Sequence, residues 1–346
     1  MKKIIIAAVL ALSSAALFAY NPPLGGEELF RLTNPEMLSG SASSAAGGPF
    51  YNVIPSSITY NPALPAGNEI ITIDVAGTIL ANMDKQFDEE DSMGAGFEAG
   101  VLYPTKYGTF TFVTNGIFSD KMLGLPVGKI WDFHLGAAKD FTDWLSVGVN
   151  VYYRAYMGDD SDFAVGADVG ALAKIGDVAF LKNVRLGASV LNMGKAADYR
   201  EWGGIDEEKK MSKYPTLFMP RASAAATVFE AGNWKGAMSA DVALPLFVAN
   251  CITDLAFEFE YAEKLKLTLA WQYNLRESVE QGADGINTIA LGVSYKFGIN
   301  AGKAGASNIT PAFAMQDLYT GILAVSGGAR LDLGQKDTSG AEIEMW

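Results

Sequence analysis

The stretch Leu265–Leu275 alternates between apolar and polar side chains at every step. Its odd-numbered residues are apolar, and its even-numbered residues are polar or small. Because successive side chains of a β-strand point to opposite faces, the stretch predicts a strand with one apolar and one polar face. A tilted strand of about 10 residues crosses a bilayer. Soluble β-sandwiches contain such strands as well, so the recurrence of the pattern decides between the two classes.

The alternating pattern recurs about fourteen times. The predicted strands are 71–79, 97–103, 109–116, 131–138, 145–157, 163–174, 184–190, 217–230, 238–244, 255–261, 265–275, 289–297, 309–315 and 323–333. An even number of this size is typical of bacterial outer-membrane barrels. Many residues on the polar faces are glycine, among them Gly136, Gly148, Gly166, Gly170, Gly187 and Gly292. Small residues at these positions suit a crowded barrel interior or a plug packed against the wall.

The connections between the predicted strands alternate in length. The long ones are 81–93, 117–128, 193–216 and 276–287, and the short ones are 104–108, 140–144, 231–235 and 262–264. In outer-membrane barrels the long loops are extracellular and the short turns periplasmic. Two connections depart from this rule, the short 158–162 and the long 299–308. The sequence therefore predicts an all-β fold, a transmembrane antiparallel barrel over residues 65–346.

The first nineteen residues have the pattern of a secretory signal. Lys2 and Lys3 precede the apolar Ile4–Leu12, and small residues follow. We expect cleavage near Ala19 and export to the bacterial outer membrane. Downstream there is no run of 18 apolar residues that would form a transmembrane helix.

Residues 20–64 do not alternate and are rich in Gly, Ser, Ala and Pro. They also contain many aromatic and aliphatic side chains, more than a solvated tail needs. We predict that they form a hatch inside the barrel. The alternative is a disordered leader.

Composition limits the possible functions. The net charge of −13 argues against a nucleic-acid partner, since phosphate binding needs basic patches. The chain has one cysteine, Cys251, and one histidine, His134, which leaves no catalytic set and no multi-cysteine metal site. We expect no enzyme activity, no metal and no cofactor. The acidic runs 88–91 and 159–162 are interpreted as solvated loop tips.

One short motif stands between the non-alternating leader and the first strand. The tripeptide Asn61-Pro62-Ala63 ends the small-residue segment that includes Gly40–Gly48. In this arrangement the chain resembles the FadL-type outer-membrane transporters of long-chain fatty acids and aromatic hydrocarbons. In that family a signal peptide and a hatch ending in Asn-Pro-Ala precede fourteen strands. The strand Ile289–Phe297 also resembles the family.

The resemblance implies passive transport of small hydrophobic molecules through a plugged barrel. It also implies a sideways exit where the third strand is kinked, and Asn115-Gly116 is the predicted break in that strand. In that family, the ligand groove on the extracellular side uses long loops after strands five and seven. Here the first, 158–162, is short, and the second, 195–216, is long.

Five basic residues fall on inward strand faces and are candidate contacts for a ligand in the lumen. They are Arg154, Lys174, Lys266, Lys296 and Arg330. A subset could hold a carboxylate by charge-assisted hydrogen bonds. The alternative is pairing with the inward carboxylates Asp168, Glu258, Glu260 and Asp332.

Two other function classes fit the pattern. One is a general porin, or a scaffold or adhesin barrel whose loops bind a partner, and the other is a soluble exported β-protein. We expect a monomer whose partners are the lipid bilayer and a hydrophobic small molecule or detergent. The chain ends in Trp346, but Glu342 and Glu344 share its face, so the last strand is expected to end near Gly334.

Overall fold

The computed structural model describes residues 20–23, 26–83, 93–119, 122, 125, 127–158, 161–198, 213–281, 289–299, 307–318 and 321–334. The predicted signal (1–19), the acidic run 88–91 and the residues after Gly334 lie outside these ranges. Most of the loop 195–216 lies outside them as well.

The strands follow the predicted series closely. They are β1 Ile71–Asn82, β2 Met93–Thr105, β3 Gly108–Phe118, β4 Lys129–Thr142, β5 Leu145–Met157, β6 Ser161–Val178, β7 Leu181–Lys195, β8 Met219–Ala231, β9 Trp234–Ala243, β10 Ile252–Tyr261, β11 Leu265–Asn274, β12 Ile289–Tyr295, β13 Phe297–Ile299, β14 Ser307–Leu318 and β15 Ile322–Leu333. Most are longer than the alternation alone indicates. Paired strands extend beyond the apolar band because the hydrogen-bond ladder continues into the turns.

All the strands belong to one antiparallel sheet that closes on itself. Strands β1 to β12 pair in sequence order, as do β13 to β15, and the sheet closes because β1 pairs with β15 and β12 pairs with β14. Strands β12 and β13 are separated only by Lys296 and both pair with β14, so together they occupy one position in the barrel. The predicted fold class, a closed antiparallel barrel of about fourteen strands, is confirmed.

The division between β12 and β13 corrects the predicted single strand over 289–297. Residues 290–294 pair with 312–316, and residues 297–299 pair with 307–309, in the same register. The two unpaired positions between them face Thr310 and Pro311. Proline has no N–H to donate to a ladder, so it is found at strand edges and interruptions. Pro311 gives the physical reason for the gap in this ladder.

Apolar side chains point away from the barrel interior. On β5, Val149 and Val151 are 54% and 53% exposed, whereas Ser146 and Asn150 on the opposite face are fully buried. Strand β11 contains the alternating stretch Leu265–Leu275 up to Asn274 and has the same two faces, with Leu267 exposed. An exposed apolar face and a buried polar face are the reverse of a soluble sandwich, and they are typical of a membrane barrel.

The two ends of the barrel differ in the length of their connections. At one end, called the turn end, the connections are residues 106–107, 143–144, 179–180, 232–233 and 262–264. At the other, called the loop end, β7 and β8 are joined by residues 196–218 and β11 and β12 by residues 275–288. Among the described residues no helix is long and apolar enough to cross a membrane.

The N-terminal segment, defined as residues 20–23 and 26–66, contains only short helices. These are the 3-10 helix Gly26–Thr33, the α-helix Pro35–Leu38 and the 3-10 helix Pro55–Thr59. Asn34 caps the α-helix by accepting from the N–H of Glu36 at 2.9 Å. Every residue from 31 to 49 is buried. The segment therefore packs along its length instead of extending into solvent.

Candidate functional site

The Asn61-Pro62-Ala63 motif forms a tight turn that is bonded to the barrel wall. The Asn61 amide donates to the carbonyl oxygens of Ala45 at 2.7 Å and Ala171, on β6, at 2.9 Å. Its oxygen accepts from the N–H of Ala63 at 3.0 Å. One buried side chain thus links the turn, the rest of the N-terminal segment and a strand.

Glycines on the wall leave room for this turn. A Cβ atom on Gly170 would lie 1.9 Å from Oδ1 of Asn61, and one on Gly148 would lie 2.1 Å from the carbonyl oxygen of Pro62. A Cβ on Gly187 would lie 1.9 Å from the carbonyl oxygen of Ala45. The glycines on the polar faces therefore have a steric role, because any side chain there would displace the N-terminal segment.

Arg185 on β7 is a second anchor, which the sequence analysis did not identify. Its guanidinium donates to three backbone carbonyl oxygens of the segment, those of Ala46 at 3.1 Å, Gly48 at 2.9 Å and Pro49 at 2.8 Å. Arginine presents several donors in a rigid fork, which suits a group of converging carbonyl oxygens. Nothing in the sequence around Arg185 indicated this role.

A buried charge cluster joins the segment to strands β8, β9 and β10. Glu28 is bonded to Arg221, which also lies 2.9 Å from Asp241. Arg31 reaches Asp254 at 3.3 Å. Removing one member of such a group leaves an uncompensated buried charge. The sequence analysis missed this cluster as well, because its members are distant in sequence and meet only in the closed barrel.

On the opposite wall, the segment bonds to β1 and β2. Asn34 donates to Asp74 at 3.2 Å and to Glu98 at 2.9 Å, and all three residues are buried. Together with the contacts to β6 through β10, these bonds join the segment to strands on both sides of the barrel.

Four of the five basic residues predicted as lumen contacts have carboxylate partners. Their nitrogen-to-oxygen distances are Arg154 to Asp132 2.6 Å, Lys174 to Asp140 2.8 Å, Lys266 to Glu258 3.1 Å and Arg330 to Glu36 3.3 Å. Lys296 has no ion pair with any other residue that the structure describes. The five do not form one site, since Arg154 and Lys174 lie on β5 and β6, away from the other three.

His134 belongs to the network around Arg154. Its Nε2 lies 3.0 Å from Asp132 and its Nδ1 lies 2.8 Å from the amide nitrogen of Asn150. The amide can only donate to Nδ1, so Nε2 carries the proton and donates to Asp132. His134 thus has a hydrogen-bonding role on the buried face of β4.

The predicted break at Asn115-Gly116 is absent. Strand β3 continues to Phe118 and keeps an unshifted register with both β2 and β4. The ring of Phe97 covers Gly116, where an added Cβ would lie 2.4 Å from a ring carbon. An aromatic ring over a strand glycine replaces the missing side-chain contacts and supports the ladder. The gap opposite Pro311 interrupts the wall at a different place.

Lys266, Lys296 and Arg330 come together at a cavity of about 410 Å³ near the turn end. This cavity, called the turn-end cavity, lies between residues 50–52 of the N-terminal segment and strands β7 to β15. Ser294 and Thr310, which flank the ladder gap, line it too. On the outer surface of the same ladder there is an apolar groove of about 390 Å³, called the outer groove, lined by residues that include Leu291, Val293, Phe313 and Met315.

Comparisons with known proteins identify the fold. No protein-family model matches the chain, and no curated protein matches it in sequence. Among solved structures, the Pseudomonas putida toluene transporter TodX is 11% identical, with a TM-score of 0.51, over 86% of this chain and 99% of TodX. The Ralstonia pickettii toluene transporter TbuX is 10% identical, with a TM-score of 0.50, over 89% of this chain and 99% of TbuX.

These likenesses extend over nearly the whole of both transporters. They agree with the closed sheet and with its apolar outer surface, which fits a bilayer and not water. The predicted resemblance is confirmed at the level of the fold: this chain is a closed antiparallel β-barrel with an apolar outer surface, and its fold is that of the two toluene transporters.

Proposed function

We propose that the protein carries small hydrophobic molecules, such as long-chain fatty acids or hydrocarbons, passively across the outer membrane. The likeness of the whole chain to two toluene transporters supports this proposal. The hydrogen bonds between the N-terminal segment and strands on both sides of the barrel carry it furthest, since they are the contacts expected of a plug.

In this proposal residues 20–64 act as a hatch in the lumen, and the turn at Asn61-Pro62-Ala63 holds it against β5 and β6. Pro62 restricts the backbone, and the Asn61 amide donates to two carbonyl oxygens, one in the segment and one on β6. A solute then passes between hatch and wall when these contacts shift. The barrel should stay closed without them, because its strands pair with one another and not with the segment.

We propose further that a hydrophobic solute leaves the lumen sideways, through the wall. Entering the bilayer stabilises such a molecule by about 0.8 kcal/mol per buried methylene, which the aqueous periplasm does not offer. The gap between β12–β13 and β14 is the favoured exit. The turn-end cavity reaches it from inside and the outer groove lies on its membrane face. An exit at Asn115-Gly116 would need a break that the β3 ladder lacks.

The hatch is tested by replacing Asn61 and Pro62 with alanine and reconstituting the protein in lipid vesicles. We expect the uptake of labelled toluene and oleate to change, while the unboiled protein keeps its fast, native mobility on gels. A variant lacking residues 20–60 sets the limit for an open barrel.

Unchanged uptake in both variants would show that the segment is only a leader. A large, steady ion conductance of the intact protein in a planar bilayer would instead identify a general porin. Absence of any uptake or conductance would favour a scaffold whose loops bind a partner.

A further inference from the structure

Cationic side chains outnumber carboxylates around the turn-end cavity, although the chain has a net charge of −13. Its lining includes Lys235, Lys264, Lys266, Lys296 and Arg330, against Glu230, Glu260 and Glu263. A cavity lined by more cationic than acidic side chains attracts anions, even in a protein whose net charge is negative.

The carboxylates of the cavity are already paired. Lys235 lies 2.9 Å from Glu263 and 3.7 Å from Glu260, and Lys182 lies 3.2 Å from Glu230. Each of these carboxylates therefore has an ammonium group within 4 Å, and Glu260 and Glu263 share that of Lys235.

Two of the lysines are not paired. Lys266 and Arg330 are held by Glu258 and Glu36, but Lys264 and Lys296 form no ion pair within the described part of the chain. Both are exposed, so their ammonium groups can turn toward the cavity without losing a partner. Among the described lining residues, these two ammonium groups can therefore engage an anion without breaking an ion pair.

A buried hydroxyl group in the same cavity also lacks a partner. Thr310 is 3% exposed, and its Oγ1 has no hydrogen bond to any described residue. It adjoins Pro311 within the ladder gap, and Ser294, at the edge of the gap on β12, is 8% exposed. Buried polar atoms are nearly always hydrogen-bonded, and leaving one unsatisfied is unfavourable. A ligand oxygen next to Thr310 would accept this hydrogen bond.

We propose that the turn-end cavity binds a small organic carboxylate. Lys264 and Lys296 supply its counter-charge, the Thr310 hydroxyl donates to one carboxylate oxygen, and the Phe50 ring offers an apolar contact. The volume of about 410 Å³ lies within the range of small-molecule pockets. The proposal rests on the proposed function in one respect, that the ligand arrives through the lumen.

The test measures equilibrium binding of labelled benzoate to the full chain in a non-ionic detergent. The variant pair Lys264→Gln with Lys296→Gln should weaken binding about tenfold, in line with the loss of charge-assisted hydrogen bonds. Thr310→Val, which changes no charge, should weaken it severalfold. Lys106→Gln is the matched control, since this lysine lies at the turn end but outside the cavity, and it should leave binding unchanged.

Binding should also weaken at about 1 M salt, where charges are screened within about 3 Å. No saturable benzoate binding by the unaltered protein, or equal binding by the double lysine variant, overturns the proposal. Vesicle uptake of toluene, which has similar size and no charge, is measured in parallel. Failure of toluene uptake alone counts against the proposed function and leaves the carboxylate site standing.

Discussion

At the scale of single residues, the contact between the barrel wall and the N-terminal segment depends on glycines, which have no side chain, as much as on hydrogen-bonding side chains. Asn61 can bond to Ala171 only because Gly170 and Gly148 allow the turn to approach the strands. Close approach of this kind is tighter than ordinary packing allows, so it constrains the wall residues to glycine. The hydrogen bonds then fix where the segment sits.

The substitution Gly170→Ala tests this steric role. Its Cβ would lie 1.9 Å from Oδ1 of Asn61, so we expect the turn to be displaced at a cost of about 1–3 kcal/mol, as for other overpacked sites. Faster amide exchange of residues 60–64, with native gel mobility, is the expected result. Gly327→Ala on β15 is the control, since no atom lies within 4 Å of its added Cβ. Equal exchange in the two variants would contradict the steric account.

At the scale of elements, the wall is not uniform. Most ladders run without interruption, whereas pairing with β14 stops after residue 294 and resumes at residue 297. The gap coincides with Pro311 and lies beside cavities on both faces of the wall. A ladder lacking hydrogen bonds at one place opens there with the smallest loss, because the remaining pairs need not break.

Replacing Pro311 with valine restores an N–H group to β14. We expect β12 and β13 to join, with slower amide exchange at Tyr295 and a gain of about 0.5–1.5 kcal/mol for the new hydrogen bond. Uptake of hydrophobic solutes should fall if this gap is the exit. The control is Pro104→Val, since Pro104 lies in an unbroken ladder opposite Thr109. Unchanged exchange at Tyr295 would show that another cause maintains the gap.

At the scale of the whole molecule, the barrel is apolar outside and polar within. Charged and hydrogen-bonded groups of the strands lie on its buried inner face, and its outer surface is suited to lipid tails. Backbone groups in a bilayer must be paired internally, and closure of the sheet through β1–β15 and β12–β14 satisfies this requirement.

A charge placed on the outer surface should be tolerated according to its depth. Val151 lies at the middle of β5, so Val151→Arg should cost about 2–4 kcal/mol on folding into a bilayer. Phe180→Arg, in the turn 179–180, should cost about 0–1 kcal/mol. The assembled fraction is measured by gel mobility after refolding into vesicles. Equal costs at the two positions would argue against a membrane-embedded middle.

Much of the architecture could be read from the sequence. Alternation has a period of two, the same as the geometry of a strand, so each stretch such as Leu265–Leu275 fixes its own faces locally. The lengths of the connections then distinguished the two ends of the barrel. Asn61 was identified because it lies between the small-residue segment and the first alternating strand. The glycines of the polar faces were identified because they recur from strand to strand.

Tertiary structure decided which residues meet. Arg221 joins Glu28 and Asp241 only through tertiary contacts between the N-terminal segment and strands β8 and β9, and nothing local to Arg185 marks it as a donor to the carbonyls of Ala46 and Gly48. Likewise Asn115-Gly116 has the local composition of a break, yet Phe97 on the neighbouring strand supports it. Local pattern determines the face of a residue, whereas its partners depend on register and closure, which join residues far apart in the chain.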